Sequence, residues 1–200
     1  MIKALLFDLG DVIVGLDFER SYRKLEALSR YKREEIPGVI QRSRLAEPYE
    51  RGELSNREFH VEFCRALDFK IGYPEFEDLW ADVFQTEPLL PDALFETLRQ
   101  NRRLVLLSNT NEIHFNFIQR QYPVLRHFDD FVLSYRIGFM KPSPEIYQEA
   151  VRSAGCTPAE CFFTDDKQEN VDAARWAGID AIRFQGCLDL ERQLRERGIL

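Results

Sequence analysis

Ala4-Leu5-Leu6-Phe7-Asp8-Leu9-Gly10-Asp11 is the stretch on which the fold turns. Four consecutive apolar residues match a strand buried on both faces of a parallel sheet, and the abrupt change to Asp and Gly marks its carboxyl end. Similar runs occur further along at Leu104–Leu107, Phe131–Leu133 and Cys161–Phe163, with a weaker one at Ala181–Phe184. The segments between them carry helical periodicity, over Asp92 to Asn101, Glu112 to Tyr122, Pro144 to Gly155 and Gln168 to Ala177. Strand and helix alternate from about Leu89 onward, which predicts an α/β fold with a doubly wound, Rossmann-like parallel sheet.

The stretch from Asp17 to about Glu87 interrupts that alternation. It shows no convincing strand but has amphipathic segments around Tyr22–Ser29, Ile36–Leu45, Phe59–Leu67 and Phe76–Phe84. Ser55-Asn56-Arg57-Glu58 reads as a capping box opening the third of these, and Thr157-Pro158-Ala159-Glu160 as another with Pro at the first helical position. Ser143-Pro144 repeats the cap-then-Pro pattern. The division predicted is a core of residues 1–16 and 88–200, with 17–87 forming a helical cap inserted at the end of the first strand.

Composition bounds the setting. With 44% hydrophobic and 30% charged residues, the 200-residue chain has the make-up of a globular protein. A net charge of -7 argues against a nucleic-acid backbone or an anionic membrane as the main partner, because both reward clustered Lys and Arg. The apolar run ended by Asp8 is too short for a signal peptide or a membrane span. Cys64, Cys156, Cys161 and Cys187 contain no CxxC pair and read as scattered reduced thiols, so a cytoplasmic location is expected.

In open α/β sheets the ligand site lies outside the carboxyl ends of the strands, so the residues at the end of each apolar run carry the functional signal. The first run leads to Asp8-Leu9-Gly10-Asp11, the second to Ser108-Asn109-Thr110. A loop after the third leads to Met140-Lys141-Pro142, and the fourth ends in Thr164-Asp165-Asp166, with Asn170 beyond it. Taken singly, each has an ordinary structural explanation as a turn, cap or solvated residue. Asp165-Asp166 is the hardest to explain that way, because adjacent carboxylates ending a buried strand repel one another without a cation. Together they form one chemistry. Phosphoryl transfer needs a nucleophile, positive charge on the equatorial oxygens and hydrogen-bond donors. Asp8 can attack phosphorus, and Mg²⁺ held by Asp8 and Asp166 lets an anionic nucleophile approach a dianion. Lys141 adds charge, while the Ser108 hydroxyl and the Asn109 backbone N–H can fix a phosphate oxygen.

Phe7-Asp8-Leu9-Gly10-Asp11-Val12-Ile13-Val14, Leu107-Ser108-Asn109-Thr110, Met140-Lys141-Pro142 and Phe163-Thr164-Asp165-Asp166 resemble, in that order, the four motifs of the haloacid dehalogenase (HAD) superfamily. Glu50-Arg51-Gly52-Glu53-Leu54-Ser55 resembles a turn of the small helical cap found between the first two motifs. The resemblance extends to the bacterial branch containing the alpha-D-glucose-1-phosphate phosphatase, whose first motif also reads Asp-Leu-Gly. It implies a Mg²⁺-dependent phosphatase acting on small phosphorylated metabolites, sugar phosphates among them, through an aspartyl-phosphate. Asp8 would be the nucleophile, with Lys141 catalytic and, with Ser108 and Asn109, holding phosphate. Asp8, the Gly10 carbonyl, Asp166 and Asp165 would gather the metal, and Asn170 would support them from behind. The oligomeric state, monomer or homodimer, is not readable from the sequence.

Gly10 departs from the pattern. Most phosphatases of the superfamily place a second Asp there as general acid and base, a contribution of roughly 3–5 kcal/mol. Its absence is expected to slow the reaction without abolishing it, and to favour leaving groups that need little protonation. Gly10 also keeps other readings open: a 2-haloacid dehalogenase acting at carbon, or a catalytically weak relative retained for binding or regulation. A phospho-accepting receiver domain fits less well, since its acidic pair comes directly after the first strand. Arg20, Arg44, Tyr49 and Arg51 are candidates for reading the substrate from the cap, and His60, His114 and His127 are expected in packing roles.

Overall fold

A computed structural model describes residues 1–200. At its centre β1 (Ala4–Phe7), β4 (Arg103–Ser108), β5 (Asp130–Leu133), β6 (Cys161–Asp165) and β7 (Asp180–Arg183) form a five-stranded parallel sheet. The strand order across it is β5-β4-β1-β6-β7. The period of two in each apolar run divides the core in half. Leu5 and Phe7 face one side with Leu104, Leu106 and Phe162, where α6 (Asp92–Leu98), α7 (Glu112–Gln121) and α11 (Cys187–Glu196) cover them. Ala4 and Leu6 face the other side with Val105, Leu107 and Phe163, beneath α9 (Pro144–Ala154) and α10 (Gln168–Trp176). Helices on both faces explain why these strands read as continuous apolar runs. The α/β doubly wound expectation holds, including all four helical segments named from periodicity.

Between β1 and α6 lie five helices: α1 (Phe18–Leu28), α2 (Ile36–Ser43), α3 (Ala46–Glu50), α4 (Asn56–Ala66) and α5 (Tyr73–Ala81). They bury an apolar cluster of their own, centred on Tyr49, Phe59, Phe63 and Phe76, to which α7 contributes Ile113. Phe59 is the hub, stacked on Tyr49 at 3.9 Å and in contact with Phe63, Phe76 and Trp80. The Ser55 capping box opens α4 as expected, with the Glu58 N–H donating to Ser55 Oγ and the Ser55 N–H to Glu58.

Three expectations need correction. The stretch 17–87 does contain a strand, β3 (Phe84–Pro88), which pairs antiparallel with β2 (Val14–Leu16). Only Phe84 of β3 is buried, so its sequence carries no apolar alternation. The ribbon is fixed instead by Arg20, whose guanidinium donates to the Asp82 and Phe84 carbonyls and pairs with the Asp82 carboxylate at 3.3 Å. The Thr157 capping box forms as expected with Pro158 at the first position, but it opens only a single 3-10 turn, because β6 begins at Cys161. Ser143 occupies the cap position of α9, but its hydroxyl turns to Glu145 and leaves the helix N–H groups alone.

Removing the hub of the helical cluster tests its energetic weight. Phe59 is 1% exposed, and Phe59→Ala is expected to lower unfolding free energy by ~3–5 kcal/mol, with Phe59→Leu much milder, in urea denaturation.

Candidate active site

Parallel register brings the strand ends together. Phe7 lies opposite Leu106 of β4 and Thr164 of β6, so the next residues, Asp8, Leu107–Ser108 and Asp165, meet at one edge. Lys141, from the loop between α8 (Ser134–Ile137) and α9, completes the group. Its ammonium donates to Asp8 Oδ1 at 2.6 Å, Asp165 Oδ2 at 2.6 Å and the Leu107 carbonyl at 2.9 Å. All three protons of the ammonium are thereby used. Asp8, Lys141 and Asp165 are 7%, 4% and 0% exposed, so these are buried charges.

Each member is held by further bonds. The Asn109 side chain brackets the Lys141 backbone, accepting from its N–H at 2.7 Å and donating to its carbonyl at 2.9 Å. Asp165 Oδ1 accepts from Asn170 Nδ2 and from the Lys167 N–H, both at 2.9 Å. Ser134 Oγ accepts from the Thr110 N–H and donates to its carbonyl, which pins the turn after β4. Ser108 Oγ makes only a 3.4 Å contact with the Asn109 carbonyl, which leaves the hydroxyl available to a ligand. Asn109 thus has a structural task for its side chain, beyond the backbone role expected of it. Thr110 and Ser134 join the site without having been expected there. The Ser-Asn-Thr run is the only local hint of them, since Ser134 reaches it across the sheet edge.

Asp8, Asp165 and Asp166 each place a carboxylate oxygen within 4.8 Å of the others. Burial pushes the Asp8 carboxyl up to about 7, opposed by Lys141 and reinforced by Asp165. Asp166 is raised by burial and then by Asp165. Burial works against the Lys141 charge, but the two carboxylates outweigh it and hold its pKa above normal. Crowded, raised carboxyls made only of hard oxygen donors suit a divalent cation such as Mg²⁺. Asp11 is occupied elsewhere: its backbone is left-handed (φ 53°) and its carboxylate accepts from the Leu16 N–H at 3.0 Å.

The helices α1–α5 sit over this edge. Gly52 (φ 71°) packs so closely on the Tyr135 backbone that a Cβ would collide with its carbonyl oxygen. Trp80 Nε1 donates to Asn111 Oδ1 at 3.3 Å, and Asn56 Nδ2 donates to Glu112 at 2.7 Å. Beneath them is a cavity of about 240 Å³, floored by Leu9, Gly10 and Ser108–Thr110. Of the residues expected to read a substrate, none lines it. Arg20 clamps the ribbon, Tyr49 lies in the aromatic cluster and donates to Asn56 at 2.8 Å, Arg51 pairs with Glu47, and Arg44 is the left-handed cap of α2. Glu50 lines it instead, its carboxyl raised to about 6 by burial and opposed by Lys167 and Lys141.

The three histidines take packing roles. His60 bonds the Ile71 carbonyl and packs on Phe76, and His127 bonds Asp92. His114 stacks on Trp80 at 5.1 Å, with Nε2 on the Trp80 carbonyl at 2.9 Å and Nδ1 against Asn111 at 3.1 Å.

The chain belongs to the haloacid dehalogenase-like hydrolases, whose family model matches residues 2–178. Two relatives are similar over nearly their whole length. A D-ribitol-5-phosphate phosphatase of Bacteroides thetaiotaomicron is 25% identical over 200 residues, 97% of each chain. A sesquiterpene phosphatase of Aspergillus oryzae is 27% identical over 203 residues, 97% of this chain and 95% of the relative. Among solved structures, a HAD family enzyme from Bacteroides thetaiotaomicron, in complex with magnesium and inorganic phosphate, superimposes with a TM-score of 0.83. It is 28% identical and covers 93% of this chain and 96% of its own.

Burial holds the His114 pKa down at about 4. Between pH ~6.5 and 4 the unfolded chain gains a proton there that the folded chain does not, so this contribution to stability is full above ~6.5 and lost on acidification. His114→Gln is expected to flatten the pH dependence by on the order of 2 kcal/mol, read as the difference between urea unfolding free energies near neutral pH and near pH ~4.5.

Proposed function

We propose that this chain is a Mg²⁺-dependent phosphatase of small phosphate monoesters, working through an aspartyl-phosphate on Asp8. The observation that carries the reading is the buried Asp8–Lys141–Asp165 group, with Asp166 and the unengaged Ser108 hydroxyl at the same edge. The phosphatase relatives and the magnesium- and phosphate-bound neighbour support it. Asp8, Asp166 and the Gly10 carbonyl, with Asp165 beside them, would hold Mg²⁺. That ion supplies positive charge that lets a carboxylate approach a phosphate dianion.

Lys141 holds one oxygen of Asp8 at 2.6 Å, which fixes the carboxylate in a single orientation and leaves its second oxygen to attack phosphorus. Ser108 Oγ and the Asn109 N–H can donate to the phosphate oxygens, while the Lys141 ammonium, its protons engaged, acts on them as a nearby positive charge. The bond between phosphorus and the alcohol oxygen breaks as the bond to Asp8 forms, and that oxygen takes a proton from water as the alcohol leaves. Water then attacks the phosphoryl group on Asp8, releasing inorganic phosphate and restoring the carboxylate. Asn170 and the Lys167 N–H act through Asp165, holding the carboxylate that positions Lys141.

Residues 17–87 act as a cap on the core of 1–16 and 88–200, shielding the reaction from bulk water and limiting substrates to small molecules. No helix is long and apolar enough to cross a membrane. A reducing cytoplasmic setting suits the four free thiols, of which Cys156 and Cys161 share a 3.4 Å S–H···S hydrogen bond and no disulfide.

With Mg²⁺ and an aryl phosphate, Asp8→Asn is expected to abolish turnover while the variant keeps the far-UV circular dichroism of the folded protein at the assay temperature, and chelation of the metal is expected to abolish turnover by the parent protein. Metal-independent release of halide from a 2-haloacid would point to carbon chemistry instead. A catalytically silent binding protein would turn over nothing in any of these assays.

Gly10 allows a second measurement. A Cβ there would meet Leu16 Cδ1 at 3.4 Å, an ordinary contact, and its backbone is not left-handed. Gly10→Asp is therefore expected to fold, and to raise kcat/KM ~10²-fold for alkyl phosphates, with little change for aryl phosphates. Equal effects on both leaving groups would remove leaving-group protonation as the explanation.

A further inference from the structure

The cavity under the cap is bounded at one end by Leu9, Gly10 and Ser108–Thr110, the backbone that adjoins Asp8. Of its 19 lining residues 12 are hydrophobic, and away from the phosphate end the walls are mainly Leu25, Ile40, Phe63, Leu79, Trp80 and Phe84. His114 adds to this surface as a neutral ring stacked on Trp80, both of its nitrogens already bonded. No arginine or lysine lines the cavity. The polar side chains remote from Ser108–Thr110 reduce to Ser21, Tyr22 and Glu50. Ser21 Oγ is buried without a protein partner, a polar anchor beside Tyr22 and Glu50 in an otherwise apolar wall.

We infer that the alcohol part of the substrate is apolar, a short branched, alicyclic or aromatic hydrocarbon carrying at most one further oxygen, and not a sugar or polyol. The inference rests on the phosphatase reading and specifies its substrate class. Each methylene moved from water into such walls is worth roughly fourfold in an equilibrium constant. Each polyol hydroxyl left without a partner there costs roughly tenfold. A sugar-alcohol phosphate brings several hydroxyls to three polar side chains, whereas a hydrocarbon finds apolar surface almost throughout. The alcohol oxygen departs from phosphorus and takes a proton from water; the phosphoryl group then passes from Asp8 to a second water, which loses its proton to solvent.

The test is kcat/KM with Mg²⁺ for ethyl, butyl and hexyl phosphate, whose primary alkanol leaving groups have nearly equal basicity. D-ribitol 5-phosphate and the short, activated acetyl phosphate complete the panel. The expected result is a rise of about threefold to fourfold per added methylene, with hexyl phosphate at least tenfold ahead of D-ribitol 5-phosphate. Ile40→Asn, and Phe18→Asn at the solvent-exposed rim of the cavity, are each expected to lower the hexyl-to-acetyl ratio about fivefold; Phe18, 48% exposed, is tolerant of the change even if Ile40→Asn fails to fold. A flat chain-length series, or D-ribitol 5-phosphate matching hexyl phosphate, overturns the inference while Asp8-dependent acetyl phosphate hydrolysis upholds the phosphatase reading. Absence of that hydrolysis overturns both.

Discussion

The ammonium of Lys141 between Asp8 and Asp165 is the constraint around which the site is built. Two carboxylates removed from water repel each other and each carries a desolvation cost, so neither keeps its charge without a cation between them. Lys141 supplies it and also caps the Leu107 carbonyl, joining the ends of β1, β4 and β6 through one group. Losing one partner of such a buried group typically costs ~3–5 kcal/mol. That explains the supporting bonds: Asn109 on the Lys141 backbone, Asn170 and the Lys167 N–H on Asp165, Ser134 on the turn after β4. Each removes a freedom that would let the carboxylates drift apart.

This polar edge abuts an apolar chamber, and the contrast between the two organises the function. Charge concentrated on Asp8, Asp165, Asp166 and Lys141 suits a phosphoryl group and a metal ion, while the walls above suit hydrocarbon. Gly10 stands on the boundary, in the floor of the chamber one residue from the buried core residue Leu9. A carboxylate at that position would put another unpaired charge beside apolar walls. The missing acid–base group and the apolar lining are therefore compatible features of one site, and not separate defects.

Much of this is legible in the sequence because the signals are local. A strand buried on both faces must be apolar throughout, and a parallel sheet must gather its carboxyl ends at one edge, so the residues after each run identify the site. β3 escapes a sequence reading because its outward residues, Gln85, Thr86 and Glu87, are polar and its pairing depends on Arg20 from another element. The short α3 and α8 are single turns held by their neighbours, and offer too few residues for a period to show. Arg20 and Arg51, expected to face the substrate, are engaged elsewhere for a related reason. Type and neighbourhood say that an Arg is available, but not whether a carbonyl such as that of Asp82 has already claimed it.

The sequence by itself determined the α/β alternation and placed Asp8, Ser108, Asn109, Lys141, Asp165 and Asp166 after successive apolar runs. Those come from the periodicity of burial and from the chemistry of side chains at strand ends, both written along the chain. Only the tertiary structure decided which of them are bonded to which, that the Asn109 side chain positions Lys141, and that Glu50 enters the chamber where Arg51 does not. It alone decided the character of the chamber, because Leu25, Ile40, Leu79, Trp80 and Phe84 are separate amphipathic residues until the helices close over the sheet. Their shared wall is a property of packing between distant segments, and no local pattern encodes it.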